Sequence, residues 1–124
     1  GFIPRTYGND NDPLDVLILC SEPILPMTLV RCYPIGVMSM EDGGMGDEKI
    51  ISIPYSDPTY MGYTSVKELP DHLFKELKHF FSVYKQLEGK STEVKEIGGP
   101  AEAVAVIEEA MEHYKKKFCI GQNQ

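Results

Sequence analysis

Asn9-Asp10-Asn11-Asp12-Pro13-Leu14-Asp15-Val16-Leu17-Ile18-Leu19-Cys20 carries an acidic turn straight into an apolar run. The apolar half, Leu14 to Cys20, is interrupted only by Asp15 and reads as a short strand buried on both faces. The acidic half has a plain reading as a turn, because Asn and Asp initiate turns and Asp-Pro is a common turn dipeptide. That accounts for Asp10 and Asp12. Asp15 is different: a carboxylate inside an apolar run is costly to bury unless a cation, a metal or a hydrogen-bonding partner meets it.

Outward from this stretch the first seventy residues read as strand and turn. A second strand is expected from Thr28 to Met40, with Pro34 and Gly36 marking a bend or bulge. Glu41 to Asp47, with three glycines in four positions, reads as a loop, and Lys49 to Ile53 as a third strand closed by Pro54. The remainder is helical. Pro70 suits a first helical position, and Leu73, Phe74, Leu77, Phe80, Phe81, Tyr84 and Leu87 recur at helical spacing up to a stop at Gly89. A second helix is expected from Pro100, with Ala103, Val104, Ile107, Ala110, Met111 and Tyr114 on one face, ending near Gly121. Strands followed by helices make the class α+β, in one domain over residues 1–124.

A second acidic cluster bears on Asp15. Asp42 and Asp47 flank the glycine-rich loop, with Lys49 close behind. If neighbouring strands pair, Asp10, Asp12, Asp15, Asp42 and Asp47 converge, and each nearby negative charge opposes ionisation of the next. Hard divalent cations resolve that conflict, since carboxylate oxygens suit Mg²⁺. An EF-hand opening at Asp10 is excluded, because its fifth, sixth and twelfth positions would be Leu14, Asp15 and Ser21. A phosphatase-type D-x-D fits poorly, since here the acids precede the buried strand.

Charge and cysteine content remove other classes. Nineteen acidic against twelve basic residues give a net charge of −7, with no basic face for a nucleic-acid partner. Lys115-Lys116-Lys117 ends a predicted helix, where cations oppose the negative end of the helix dipole. The longest clean apolar run, Val16 to Cys20, is far short of a membrane span. Cys20, Cys32 and Cys119 are odd in number and lack C-x-x-C spacing, which disfavours a disulfide framework or a zinc knuckle and points to a reducing, cytoplasmic setting. His72, His79 and His113 are scattered and read as structural or surface residues.

Asp10-Asn11-Asp12-Pro13-Leu14-Asp15-Val16 resembles, at every position, the signature of the soluble family I inorganic pyrophosphatases. The likeness continues through Gly1-Phe2-Ile3-Pro4-Arg5-Thr6, Arg31-Cys32-Tyr33-Pro34-Ile35-Gly36, Asp47-Glu48-Lys49-Ile50-Ile51, Leu69-Pro70 and His79-Phe80-Phe81-Ser82-Val83-Tyr84-Lys85. The resemblance implies a partial OB-like, antiparallel-rich β-barrel with two C-terminal helices, and Mg²⁺-dependent hydrolysis of pyrophosphate to two phosphates. It implies Asp10, Asp15, Asp42 and Asp47 as ligands for several Mg²⁺, with Mn²⁺ a possible substitute. It makes Asp12 the general base and Lys49, Tyr84 and Lys85 the phosphate contacts, in a chain that forms homo-oligomers.

Members of that family extend several dozen residues upstream of the position of Gly1, supplying barrel strands, a metal-ligating Glu, a phosphate-binding Lys and Arg, and two Tyr. Gly1 is therefore expected to be an interior position, and any organellar targeting peptide would lie upstream of it. Little hydrolysis is expected from these 124 residues alone. The alternative reading is a catalytically silent metal- or phosphate-binding domain or assembly subunit.

Overall fold

The computed structural model describes residues 1–42, 45–87 and 94–118. The elements are β1 (Asp15–Ile18), β2 (Cys32–Asp42), β3 (Met45–Pro54), α1 (Asp71–Leu87), β4 (Val94–Gly98) and α2 (Pro100–Phe118), with a 3-10 turn at Val66–Glu68. The strands form one open sheet in the order β1-β3-β2-β4. β2 pairs antiparallel with β3 and with β4, while β1 pairs parallel with β3. This is the expected α+β arrangement, an antiparallel-rich sheet with two helices packed on it.

Side-chain alternation along the central strands divides the core between the two faces of the sheet. Met38, Ile51 and Ile53 meet Leu77 and Phe81 of α1 on one face. Val37 and Ile50 meet Ala103 and Ala110 of α2 on the other. The expected irregularity in β2 is present as a register shift between Pro34 and Gly36. Gly36 is required there: an added Cβ would lie 2.6 Å from Val66 Cγ1 and 2.9 Å from the Gly98 carbonyl oxygen.

The helix starts follow their sequences. The Pro70 carbonyl accepts from the Leu73 and Phe74 amides at 3.0 and 3.2 Å, so Pro70 stands just before the first helical residue instead of within it. At α2, the Gly99 carbonyl accepts from Ala103 N at 3.1 Å while Glu102 Oε2 accepts from Gly99 N at 2.9 Å, a reciprocal cap.

Three further expectations need correction. β1 is half-buried throughout, not buried on both faces: it is the outermost strand, with β3 on one side and only the isolated Phe2↔Asp15 bridge on the other. Glu41 to Asp47 is not wholly a loop: the ladder continues through Met40↔Asp47, Glu41↔Gly46 and Asp42↔Met45, which places Asp47 on a strand. Helical spacing overstated the buried faces, since Phe80 and Leu87 on α1 and Val104 and Met111 on α2 are exposed. β4 was not anticipated. Gly89 and Gly121, the expected helix stops, lie outside the described residues.

Candidate metal and phosphate site

Asp15 of β1 and Lys49 of β3 are register partners, so their side chains leave the same face of the sheet. Asp47, two residues before Lys49, shares that face. Lys49 Nζ donates to Asp15 Oδ2 and lies 3.1 Å from Asp47 Oδ1. Both Asp47 and Lys49 are buried. Burial by itself pulls the ammonium down, but the hydrogen bonds and charges of Asp15 and Asp47 outweigh it and hold the Lys49 pKa above its ordinary value.

Asp10 reaches this group through the acidic turn. Gly8 N donates to the Asp12 carbonyl at 2.8 Å and Asn11 N to the Gly8 carbonyl at 3.1 Å. Asn11 takes a left-handed φ of 67°, a conformation Asn tolerates better than most residues. The Asp12 amide donates to Asp10 Oδ1 at 3.2 Å. Two bonds moor the turn: Leu14 N to the buried Thr6 hydroxyl at 2.9 Å, and Tyr7 N to the Ala110 carbonyl of α2 at 3.0 Å. Burial pushes the Asp10 carboxyl up, the Asp12 amide opposes this, and the charges of Asp47 and Asp12 add to the rise.

Asp10, Asp15 and Asp47 wall one small cleft of about 20 Å³ together with Glu48, Glu109 and His113. Glu48 is likewise pushed up, first by burial and then by Glu109 and Asp47. Three of the five aspartates expected to converge, Asp10, Asp15 and Asp47, thus lie on one cleft. Asp12 is exposed and does not wall the cleft, though its charge is felt by Asp10. The backbone of Asp42 ends β2, and those of Tyr84 and Lys85 lie in α1. The side chains of Asp42, Tyr84 and Lys85 lie outside the described residues.

Glu109 and His113 were not anticipated. They sit one helical turn apart on α2, 3.7 Å between Oε1 and Nε2, and that spacing was the available signal. Only the packing of α2 beside the acidic turn makes them neighbours of the aspartates.

The donor chemistry fits a hard divalent cation: carboxylate oxygens from three segments face a space suited to one small ion or water, and burial first, neighbouring negative charge second, pushes up the carboxyls of Asp10 and Glu48. Lys49 lies between Asp15 and Asp47, and among the described residues no three Asp, Glu, His or Cys side chains enclose a single ion position. The cleft thus supplies carboxylate donors, two of them paired with Lys49, without a closed cage among the described residues.

An α+β fold with an acidic cleft, two of whose aspartates pair with one buried lysine, is the class the structure defines. The inorganic pyrophosphatase family profile matches residues 1–115. The chain is 42% identical over 118 residues to soluble inorganic pyrophosphatase 2 of Chlamydomonas reinhardtii, covering 95% of this chain and 62% of that protein. It is 46% identical over 114 residues to soluble inorganic pyrophosphatase PPA1 of Solanum tuberosum, covering 92% and 54%. The crystallised inorganic pyrophosphatase of Helicobacter pylori superposes with a TM-score of 0.87 at 36% identity, covering 93% of this chain and 69% of that one. The chain belongs to the inorganic pyrophosphatase family. It spans between half and two thirds of the length of the algal and plant relatives above.

Proposed function

We propose that this chain carries the metal- and phosphate-binding core of a Mg²⁺-dependent hydrolase that cleaves pyrophosphate to two phosphates. The convergence of Asp10, Asp15 and Asp47 on one cleft, two of them paired with the buried Lys49, supports this most directly. Residues 1–124 act as one domain, working in the cytoplasm as a homo-oligomer. Among the described residues no helix is long and apolar enough to cross a membrane.

Pyrophosphate and its leaving phosphate carry dense negative charge, so the site must neutralise oxygens and deprotonate a water at neutral pH. Bound Mg²⁺ supplies charge neutralisation and acidifies water, with Mn²⁺ an alternative. Asp10, Asp15, Asp42 and Asp47 hold the cations. Asp12, exposed beside Asp10, takes the proton of the attacking water at its carboxylate. An ammonium has three N–H donors, and two carboxylates adjoin that of Lys49, which leaves one donor for a phosphate oxygen. Tyr84 and Lys85 complete the phosphate contacts.

Calorimetric titrations with Mg²⁺ and with phosphate, and phosphate release from pyrophosphate on the same preparation, test this. Mg²⁺-dependent release that Asp15→Asn abolishes supports the hydrolase. The 62% and 54% spans favour keeping a second reading, a catalytically silent metal- or phosphate-binding domain. Metal binding with no release of phosphate, in the full-length protein as well as in these 124 residues, selects it. Binding of neither Mg²⁺ nor phosphate in the same calorimetric titrations overturns both.

A further inference from the structure

Asn11 stands between Asp10 and Asp12, and its backbone gives the acidic turn its shape. A left-handed φ of 67° lets Gly8 N reach the Asp12 carbonyl at 2.8 Å while the Asp12 amide reaches Asp10 Oδ1 at 3.2 Å. For a residue with a Cβ that conformation costs free energy, less for Asn than for most, and it persists where neighbouring contacts over-determine it. Tyr7 supplies such a contact. Its hydroxyl donates to Asn11 Oδ1 at 3.1 Å.

A tyrosine side chain has two rotatable bonds, so a fixed ring means a placed hydroxyl. α2 fixes this one at two points. Tyr7 N donates to the Ala110 carbonyl at 3.0 Å. The ring meets Phe118 edge to face, with 5.5 Å between centroids and 88° between planes, an arrangement that ring quadrupoles favour. Phe118 is backed in turn by Tyr114, one helical turn earlier, at 4.9 Å between centroids. A continuous path of contacts therefore runs from the C-terminal half of α2 through Tyr7 to the peptide units on either side of Asn11. Those units carry two carboxylates in unlike settings. Asp10 walls the cleft, where Asp15 and Asp47 are placed by their strands, whereas Asp12 is exposed and takes its position from the turn.

We infer that Tyr7 is a positioning residue: held by α2, its hydroxyl fixes Asn11 and thereby sets the Asp12 carboxylate at its distance from Asp10. The inference rests on the hydrolase reading, in which Asp12 takes the proton of the attacking water. Proton transfer is sensitive to misplacement by roughly 1 Å, so the tether bears on turnover and not on the affinity of Asp10, Asp15 and Asp47 for Mg²⁺.

Tyr7→Phe in the full-length protein that contains these residues tests it, since the variant keeps the ring and loses only the hydroxyl. Its kcat is expected to fall about three- to tenfold, the worth of one hydrogen bond, with KM for pyrophosphate and calorimetric Mg²⁺ affinity unchanged within about twofold. Hydrogen–deuterium exchange should quicken at the Asn11 and Asp12 amides and stay at the parent's rate along β3 and α1. In an Asn11→Gly background glycine takes the left-handed φ freely and the Oδ1 acceptor is gone, so losing the hydroxyl should lower kcat no further. Parental kcat in Tyr7→Phe overturns the role, as does an equal loss in both backgrounds or a loss carried by KM or by Mg²⁺ affinity. Unchanged exchange at Asn11 and Asp12 overturns it as well. A parent protein that releases no phosphate overturns the hydrolase reading itself, and this role falls with it.

Discussion

Asp15 and Lys49 face each other across the parallel β1–β3 ladder and close an ion pair beside the buried Asp47. The ammonium occupies the position where a cation between the two carboxylates belongs. Lys49→Met removes it and is expected to cost about 3 kcal/mol at neutral pH without divalent ions. Because the folded pKa of Lys49 is raised, its contribution is complete below its ordinary value of 10.5 and is lost only as pH rises through the folded value. Added Mg²⁺ should restore part of the stability of the variant by supplying the missing charge. Urea titrations with and without Mg²⁺ measure this, and a deficit that Mg²⁺ leaves untouched contradicts the placement of a cation there.

Asp12 and Asp15 are assigned different work, and their amide variants should separate it. Asp15→Asn removes a donor from the cleft and should weaken Mg²⁺ binding at least about tenfold as well as slow phosphate release. Asp12→Asn, at an exposed position away from the cleft wall, should leave Mg²⁺ affinity within about threefold. It should slow hydrolysis by roughly 10²- to 10⁴-fold, the range for losing a general base. Calorimetry alongside phosphate release reads the two effects. Equal loss of metal affinity in both variants removes the base assignment from Asp12.

The parts of this site that the sequence revealed are those joined by local spacing. Asp10 and Asp15 share one turn and strand, and Asp47 and Lys49 are two apart on β3, so alternation alone puts the latter pair on one face. Glu109 and His113 were hidden because only α2 packing against the turn, tied by Tyr7 N to the Ala110 carbonyl, brings them near. β4 was hidden for a similar reason. Val94–Gly98 is short, carries Lys95 and Glu96 mid-strand, and owes its conformation to pairing with the distant β2. The glycines near Gly46 argued for a loop, but a hairpin ladder tolerates Gly46 opposite Glu41 once its neighbours are paired. Periodicity located both helices while leaving Phe80 and Val104 on the wrong side, because the buried stripe is narrower than the apolar one.

Gly36 couples the β2 irregularity to two other elements. An added methyl group would press on the side chain of Val66 and the carbonyl of Gly98, so both the 3-10 turn and β4 would have to move. Gly36→Ala is expected to destabilise the chain by roughly 1 to 3 kcal/mol, the cost of overpacking a tight core. Val66→Ala in the same background should recover part of the loss, since it removes the atom in closest contact. A double-mutant cycle by urea denaturation checks this, and strict additivity of the two changes would contradict the clash.

Asp57 ties the loop after β1 to the turn after β3. Its carboxylate accepts from Ser21 N at 2.7 Å, Ser21 Oγ at 3.0 Å and Thr59 N at 2.9 Å. The Ser21 amide leads in holding the carboxyl below its ordinary value of 3.8; burial opposes this, and the Ser21 hydroxyl and the Thr59 and Tyr60 amides add to the lowering. A carboxyl depressed in the folded state stabilises the fold above its unfolded value, and that contribution drains away as pH falls through the folded one. Asp57→Asn should therefore be less stable than the parent chain at pH 7, with the gap narrowing below about pH 4. Other carboxylates titrate in both proteins and cancel in the difference. Urea midpoints for the pair at neutral and acid pH measure it, and a gap of constant size across that range would show that the loop is held by something other than the charge on Asp57.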